Sequence, residues 1–152
     1  MVKILFICHG NICRSVMAEY ILKDMVYHAG RSKDFEIASR ATSREEIGHD
    51  IYPPAKRCLS GHCVPFERHF ADQVSTEDCE HFDYLICMDD QNIRSMGYLF
   101  GDRYKGKTSK LLEHAELNRN VADPWYTDDF ETAYKDIKLG CEALLEELDS
   151  TS

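Results

Sequence analysis

Apolar residues follow two rhythms along this chain. Ile4-Leu5-Phe6-Ile7 is an unbroken apolar run, which predicts a strand buried on both faces. From Met17 through Ala18, Ile21, Leu22, Met25 and Val26 the spacing becomes helical, and Ala29-Gly30 supplies a left-handed end for that helix. Phe35-Glu36-Ile37-Ala38 reads as a second short strand, so strand, helix and strand predict a right-handed parallel unit. Pro54 to Leu59 suits a short helix with proline in its first turn and Gly61 closing it. Ser75-Thr76-Glu77-Asp78 opens another helix, Phe82 to Met88 is a central strand, and Asp89 caps the helix that follows. Lys107 to Leu112 holds a last short strand, and Glu113 to Val121 is a polar loop. Phe130, Ala133, Tyr134, Ile137, Cys141, Leu144 and Leu148 recur at the spacing of a long amphipathic helix. The alternation predicts an α/β fold. It is one domain over 1–152, a doubly wound, mostly parallel four-stranded sheet flanked by helices, with its site at the carboxyl ends of the strands.

Composition narrows this picture. A chain of 152 residues suits one domain and buries roughly 70% of its unfolded surface without staples. The formal net charge of −9 argues against nucleic acid and anionic membranes as partners. Seven cysteines, an odd number scattered through apparent helices and strands, favour a reducing cytoplasm over a disulfide framework. No secretory leader and no apolar run of about 20 residues is visible. Oligomeric state is not legible.

The chemistry concentrates in Cys8-His9-Gly10-Asn11-Ile12-Cys13-Arg14-Ser15, between the first strand and the first helix. Backbone N–H groups and the helix dipole converge on an anion at such a junction, so the stretch reads as an N-terminal phosphate-binding loop. Cysteine opens it, and a thiolate beside positive charge is a nucleophile. Arg14 closes it with a planar fork that matches phosphate oxygens. Gly10 and Asn11 suit a left-handed turn, and Ser15 either caps the helix or donates to the sulfur. Far along the chain, Asp123-Pro124-Trp125-Tyr126 fixes a carboxylate ahead of a proline and two aromatics.

Cys-x5-Arg-Ser between an N-terminal strand and a helix, with a distal Asp-Pro-aromatic, resembles the low-molecular-weight protein tyrosine phosphatases over nearly the whole chain. The resemblance implies hydrolysis of phosphotyrosine in a protein, or of a small aryl phosphate, with no metal and no cofactor. Cys8 would be the nucleophile, and Asp123 the acid and then the base. Arg14 and the backbone from His9, Gly10, Asn11, Ile12 and Cys13 to Ser15 would hold the phosphoryl oxygens. Trp125 and Tyr126 would flank the ring, while Asn11, Ser39 and His69 would keep the loop in shape. It also implies that Cys13 traps an oxidised Cys8 as a disulfide; on composition alone Cys13 reads equally well as packing. Four positions depart from the family pattern: His9 for leucine, Val16 for proline, Glu45 or Glu46 where an aromatic is usual, and Asp72 for arginine.

Other readings compete. Cys58, His62 and Cys63 suggest zinc, but nothing in the sequence completes a ligand set. An arsenate reductase of similar fold would need relay cysteines on a mobile loop, for which Cys79 and Cys87 are poorly placed. A phosphocysteine carrier of sugar transport would need neither Arg14 nor a distal acid. A weakened phosphotyrosine-binding module would be consistent with His9, Val16 and Glu45. Arg40 to Pro54 is polar and long enough to form a wall of the cleft.

Overall fold

The computed structural model describes residues 1–150. Four strands, β1 (Val2–Cys8), β2 (Phe35–Ala41), β3 (Tyr84–Cys87) and β4 (Thr108–Lys110), form one sheet in the order β2-β1-β3-β4, with every pairing parallel. Helices α1 (Arg14–His28), α2 (Pro53–Gly61), α3 (Thr76–His81), α4 (Asp90–Phe100), α5 (Pro124–Thr127) and α6 (Phe130–Ser150) supply the crossovers and the covering layers.

Alternation along β1 divides the core in two. Ile4, Phe6 and Cys8 pack with residues of α1, α2 and α6, among them Met17, Leu22, Leu59, Ile137 and Leu144. Leu5 and Ile7 pack on the other face with Cys79, Phe82, Met96 and Tyr104. Burial on both faces explains the unbroken apolar run, as expected for a central parallel strand. Because β1 leads to β2 on one side and pairs with β3 on the other, the strand order reverses beside the end of β1. That reversal leaves a crevice outside the strand ends, and Cys8 sits at its edge.

Several boundaries differ from the sequence pattern. Strand β2 continues through Ser39 to Ala41, because Cys8 pairs with Ala41, and Ala41 in turn bridges to Gln73. The long connection therefore starts at Thr42. Helix α2 runs to Gly61, and the left-handed residue after it is Cys63, at φ 59°. Strand β4 is only three residues long, and the chain then winds into a 3₁₀ turn over Leu111–Ala115. Gly30 behaves as expected: at φ 71° it lets the Arg31 N–H reach back to the Val26 carbonyl and close α1. Ser75 and Asp89 cap α3 and α4 through capping boxes.

Candidate active site

The loop from Cys8 to Ser15 is fixed by polar groups on every side. The N–H groups of Thr42 and Ser43 donate to the carbonyls of Cys8 and His9, and Tyr52 N–H donates to the Ile12 carbonyl. Asn11, fully buried at φ 61°, alone makes the left-handed turn. Gly10 does not share that conformation. A Cβ there would lie 3.4 Å from Glu46 Cγ, an ordinary contact, so neither the turn nor the space requires a glycine. Asn11 Nδ2 donates to Ser15 Oγ at 2.8 Å, and Asn11 Oδ1 accepts from His69 Nε2 at 3.1 Å and from the Asp72 N–H at 3.3 Å. His69 Nε2 also lies 2.8 Å from the Asn11 carbonyl. Facing two oxygens, Nε2 is the protonated nitrogen of a neutral ring. Burial pulls the His69 pKa below its ordinary value, against the opposing pull of the Asn11 carbonyl, Glu19 and Asp50. Asp72 contributes its backbone N–H to the loop, a service nearly any residue offers, and nothing in the structure explains an aspartate in place of arginine.

These contacts converge on the sulfur. Asn11 N–H points at Cys8 Sγ from 3.3 Å, and Ser15 Oγ is 3.0 Å away. Because Ser15 Oγ already accepts from Asn11, its hydrogen is free to donate to an ionised sulfur. Ser15 therefore does not cap α1; Cys13 occupies the capping position without a side-chain bond.

Arg14, 4% exposed, reaches across to the far side. Its Nη2 bonds Asp89 Oδ2 at 2.7 Å and lies 3.4 Å from Asp123 Oδ2, and its Nη1 donates to the Val121 carbonyl at 3.0 Å. Burial opposes the guanidinium charge, but Cys8, Asp123 and Asp89 outweigh it and push its pKa above the ordinary range. Asp123 caps the single-turn α5, its Oδ1 accepting the Trp125 N–H at 3.0 Å. Asp89 reads from its neighbours as a helix cap, and the family resemblance also turns its counterpart toward the catalytic end; its Oδ1 caps, through Asn92 N–H, while Oδ2 bonds the arginine.

A cleft of about 330 Å³ gathers Cys8 to Arg14 with Asp89 and Asp123. Trp125 and Tyr126 line one side, and Glu45 and Glu46 also line it. His9 Nε2 lies 3.0 Å from Glu45 Oε2, and Glu46 pairs with His49. Behind Trp125, the ring of Tyr52 lies 5.1 Å away, centroid to centroid. Tyr52 gave no periodic or motif signal.

Ser39 stands apart from the expectation that it braces the loop. It is buried, and among the described residues its hydroxyl bonds Glu19 Oε1 on α1, at 2.6 Å, and no loop atom. Any support it gives passes through the helix. Cys13 is a buried free thiol, and burial, then the nearby Cys8 and Asp123, push its pKa well up. Cys79 and Cys87, the relay candidates, are fully buried; desolvation pushes Cys79 up to about 11 and Cys87 further. Cys58 and His62 are joined by Glu131, not Cys63, one donor from each lying within 4.8 Å of the others. His62 there pairs with Glu131 and stacks on Tyr134. No described helix is long and apolar enough to cross a membrane.

A cysteine sulfur at a strand end, with a left-handed turn and a buried, carboxylate-paired arginine beside it, lies at the crevice of a parallel α/β fold. Residues 3–152 match the family model described as low molecular weight phosphotyrosine protein phosphatase. The chain is 36% identical over 147 residues to the low molecular weight protein-tyrosine-phosphatase YfkJ of Bacillus subtilis, covering 95% of this chain and 94% of that one. It is 34% identical over 149 residues to the human low molecular weight phosphotyrosine protein phosphatase, covering 95% and 94%. The crystal structure of YfkJ superposes with a TM-score of 0.95 at 34% identity, covering 100% of this chain and 97% of that one. The chain belongs to the low molecular weight phosphotyrosine protein phosphatase family.

Proposed function

We propose that this protein hydrolyses phosphotyrosine in proteins, and small aryl phosphates, through a phosphocysteine at Cys8. The observation that carries the reading is convergence. The sulfur, the buried Arg14 and the Asp123 carboxylate meet in one cleft although 115 residues separate the first from the last. Cys8 sulfur attacks phosphorus in line, forming the S–P bond as the P–O bond to the phenol breaks. Asp123, protonated, gives its proton to the departing oxygen. Oδ1 accepts the Trp125 N–H and Oδ2 lies 3.4 Å from Arg14 Nη2, so the proton takes the place of one of these contacts. Water then attacks the phosphocysteine, Asp123 takes its proton, and sulfur leaves as thiolate. Arg14 and the loop N–H groups hold the equatorial oxygens while charge redistributes. Asp89 and the Val121 carbonyl keep the guanidinium plane aimed at the loop. Asn11, Ser15 and His69 keep the loop in shape, with Ser39 acting at one remove.

The test is turnover of p-nitrophenyl phosphate and a phosphotyrosine peptide with EDTA present. Metal-independent release of phosphate supports the reading. Thiol-dependent arsenate reduction without phosphatase turnover, or transfer of phosphate to Cys8 from a carrier protein without hydrolysis, contradicts it.

A further inference from the structure

The strand-end segment that delivers Asp123 is tied from behind by a carboxylate that the mechanism above does not use. Asp136 lies on α6 and is 6% exposed. Arg119 Nη1 and Nη2 donate to its Oδ2 and Oδ1 at 3.0 Å each, in a bidentate pair. The same Oδ2 accepts the N–H of Ala122 at 3.1 Å, and Ala122 is the residue before Asp123. The neighbouring residues are tied elsewhere. Val121 N–H donates to the Met88 carbonyl and its own carbonyl takes Arg14, while Asn120 Oδ1 accepts from Asp90 N–H and Lys110 Nζ. Those bonds register the segment against the sheet end and α4. The bond to Asp136 registers it against α6.

Beyond Asp123, Pro124 is buried and Trp125 packs on Tyr52, while the tip is open. Helix α5 is one turn long, and Trp125 and Tyr126 are 53% and 84% exposed. On its N-terminal side, Asp123 is registered through Ala122 against α6. An ionised acceptor makes the stronger bond to that N–H. Arg119, half exposed, offsets the cost of burying the Asp136 charge.

We infer that Asp136 is a positioning residue for the general acid. It holds Ala122, and through it Asp123, at the reach from which the acid's proton meets the leaving oxygen. This rests on Asp123 being the acid.

The experiment measures kcat/KM over a series of aryl phosphates, from p-nitrophenol to phenol as leaving group, for Asp136→Ala, Asp136→Asn, Arg119→Ala and Asp123→Ala. Inhibition by inorganic phosphate is measured alongside. Removing Asp136 leaves Arg119 in water and strands no buried charge, so the fold should persist; melting curves check this. Asp136→Ala should lower kcat/KM for phenyl phosphate by about tenfold or more, within the roughly 10²-fold that a 1 Å misplacement costs. The loss should shrink for p-nitrophenyl phosphate, and phosphate inhibition should stay unchanged because the loop is untouched. Asp136→Asn, which keeps an acceptor oxygen, should recover most of the loss. Arg119→Ala keeps the bond to Ala122 and should lose less; if Asp136→Ala fails to fold, Asp136→Ser, which removes the carboxylate that reaches Ala122, is decisive and must show the leaving-group dependence. Equal loss on every leaving group, or no loss, overturns the assignment while Asp123→Ala behaves as an acid variant. An Asp123→Ala enzyme with no leaving-group dependence overturns the acid role first, and this one with it.

Discussion

The loop of Cys8 and the loop of Asp123 face each other across one cleft and are built on opposite plans. In the first, Asn11 and Ser15 are fully buried and Arg14 is 4% exposed. In the second, the Asp123 carboxylate is about a third exposed and Tyr126 is 84% exposed. The difference follows from what each must hold. A cradle for an anion works only if several N–H groups keep fixed positions, and burial of their supporting side chains enforces that. On the proposed mechanism Asp123 would supply one proton, and Trp125 and Tyr126 an aromatic wall, to a substrate that arrives from solvent, which suits a loop anchored at its stem and open at its tip.

The largest expected effect breaks the first plan chemically and leaves it standing structurally. Cys8→Ser should abolish turnover, while isothermal titration should still show phosphate binding, because the N–H groups and Arg14 remain. Next, Asp123→Ala should lower kcat on phenyl phosphate by about 10²–10⁴-fold, the usual worth of a general acid. An unchanged kcat on that substrate would remove Asp123 from the mechanism. The contrast in burial is sharpened by pairing Asn11→Ala with Trp125→Ala. The first puts alanine at φ 61° and strips partners from Ser15 and His69, so it should cost about 1–3 kcal/mol of stability and weaken phosphate binding. The second should shift stability by about 0.5 kcal/mol or less and act on KM for aryl substrates. Comparable melting shifts for the two would contradict the comparison.

Redox behaviour probes the same loop. Peroxide should inactivate the enzyme, phosphate should protect it, and dithiothreitol should restore activity through a Cys8–Cys13 disulfide seen by mass spectrometry. Cys13→Ser should keep turnover but lose that recovery. Equal recovery would leave Cys13 as packing, in keeping with the burial that pushes its thiol up. The smallest effect concerns the polar wall. Reversing charge at Glu45 and Glu46 should weaken phosphotyrosine peptides with basic neighbours by roughly a few-fold, and less so at high salt. A peptide panel with no salt-sensitive change would rule out that preference.

Local signals carried much of this into the sequence. The apolar run of β1, the helical spacing of α1 and the Asp-Pro dipeptide are each set by neighbours in the chain, and the strand–loop–helix junction places Cys8 and Arg14 together. Contacts between distant segments were not legible from spacing; the meeting of His69 with Asn11 was implied only by the family resemblance. Ser39 meets Glu19, Asp136 meets Ala122, and Glu131 reaches His62 because layers of the fold stack, and no spacing encodes that. Gly10 misled because glycine beside asparagine suggests two left-handed residues, whereas only Asn11 has a positive φ. The end of β2 was missed because polar Ser39 and Arg40 stay in the ladder through pairing with β1.

The central claim is that Cys8 carries the phosphoryl group. Rapid acid quench of the Asp123→Ala protein during turnover of p-nitrophenyl phosphate, followed by peptide mass spectrometry, tests it most directly. The leaving group there needs little protonation, so the intermediate forms, and loss of the base slows its hydrolysis. One phosphoryl group on the peptide bearing Cys8, localised to that sulfur and absent from Cys8→Ser, is the predicted result. Phosphate on His9 or elsewhere, or turnover by Cys8→Ser, would contradict it.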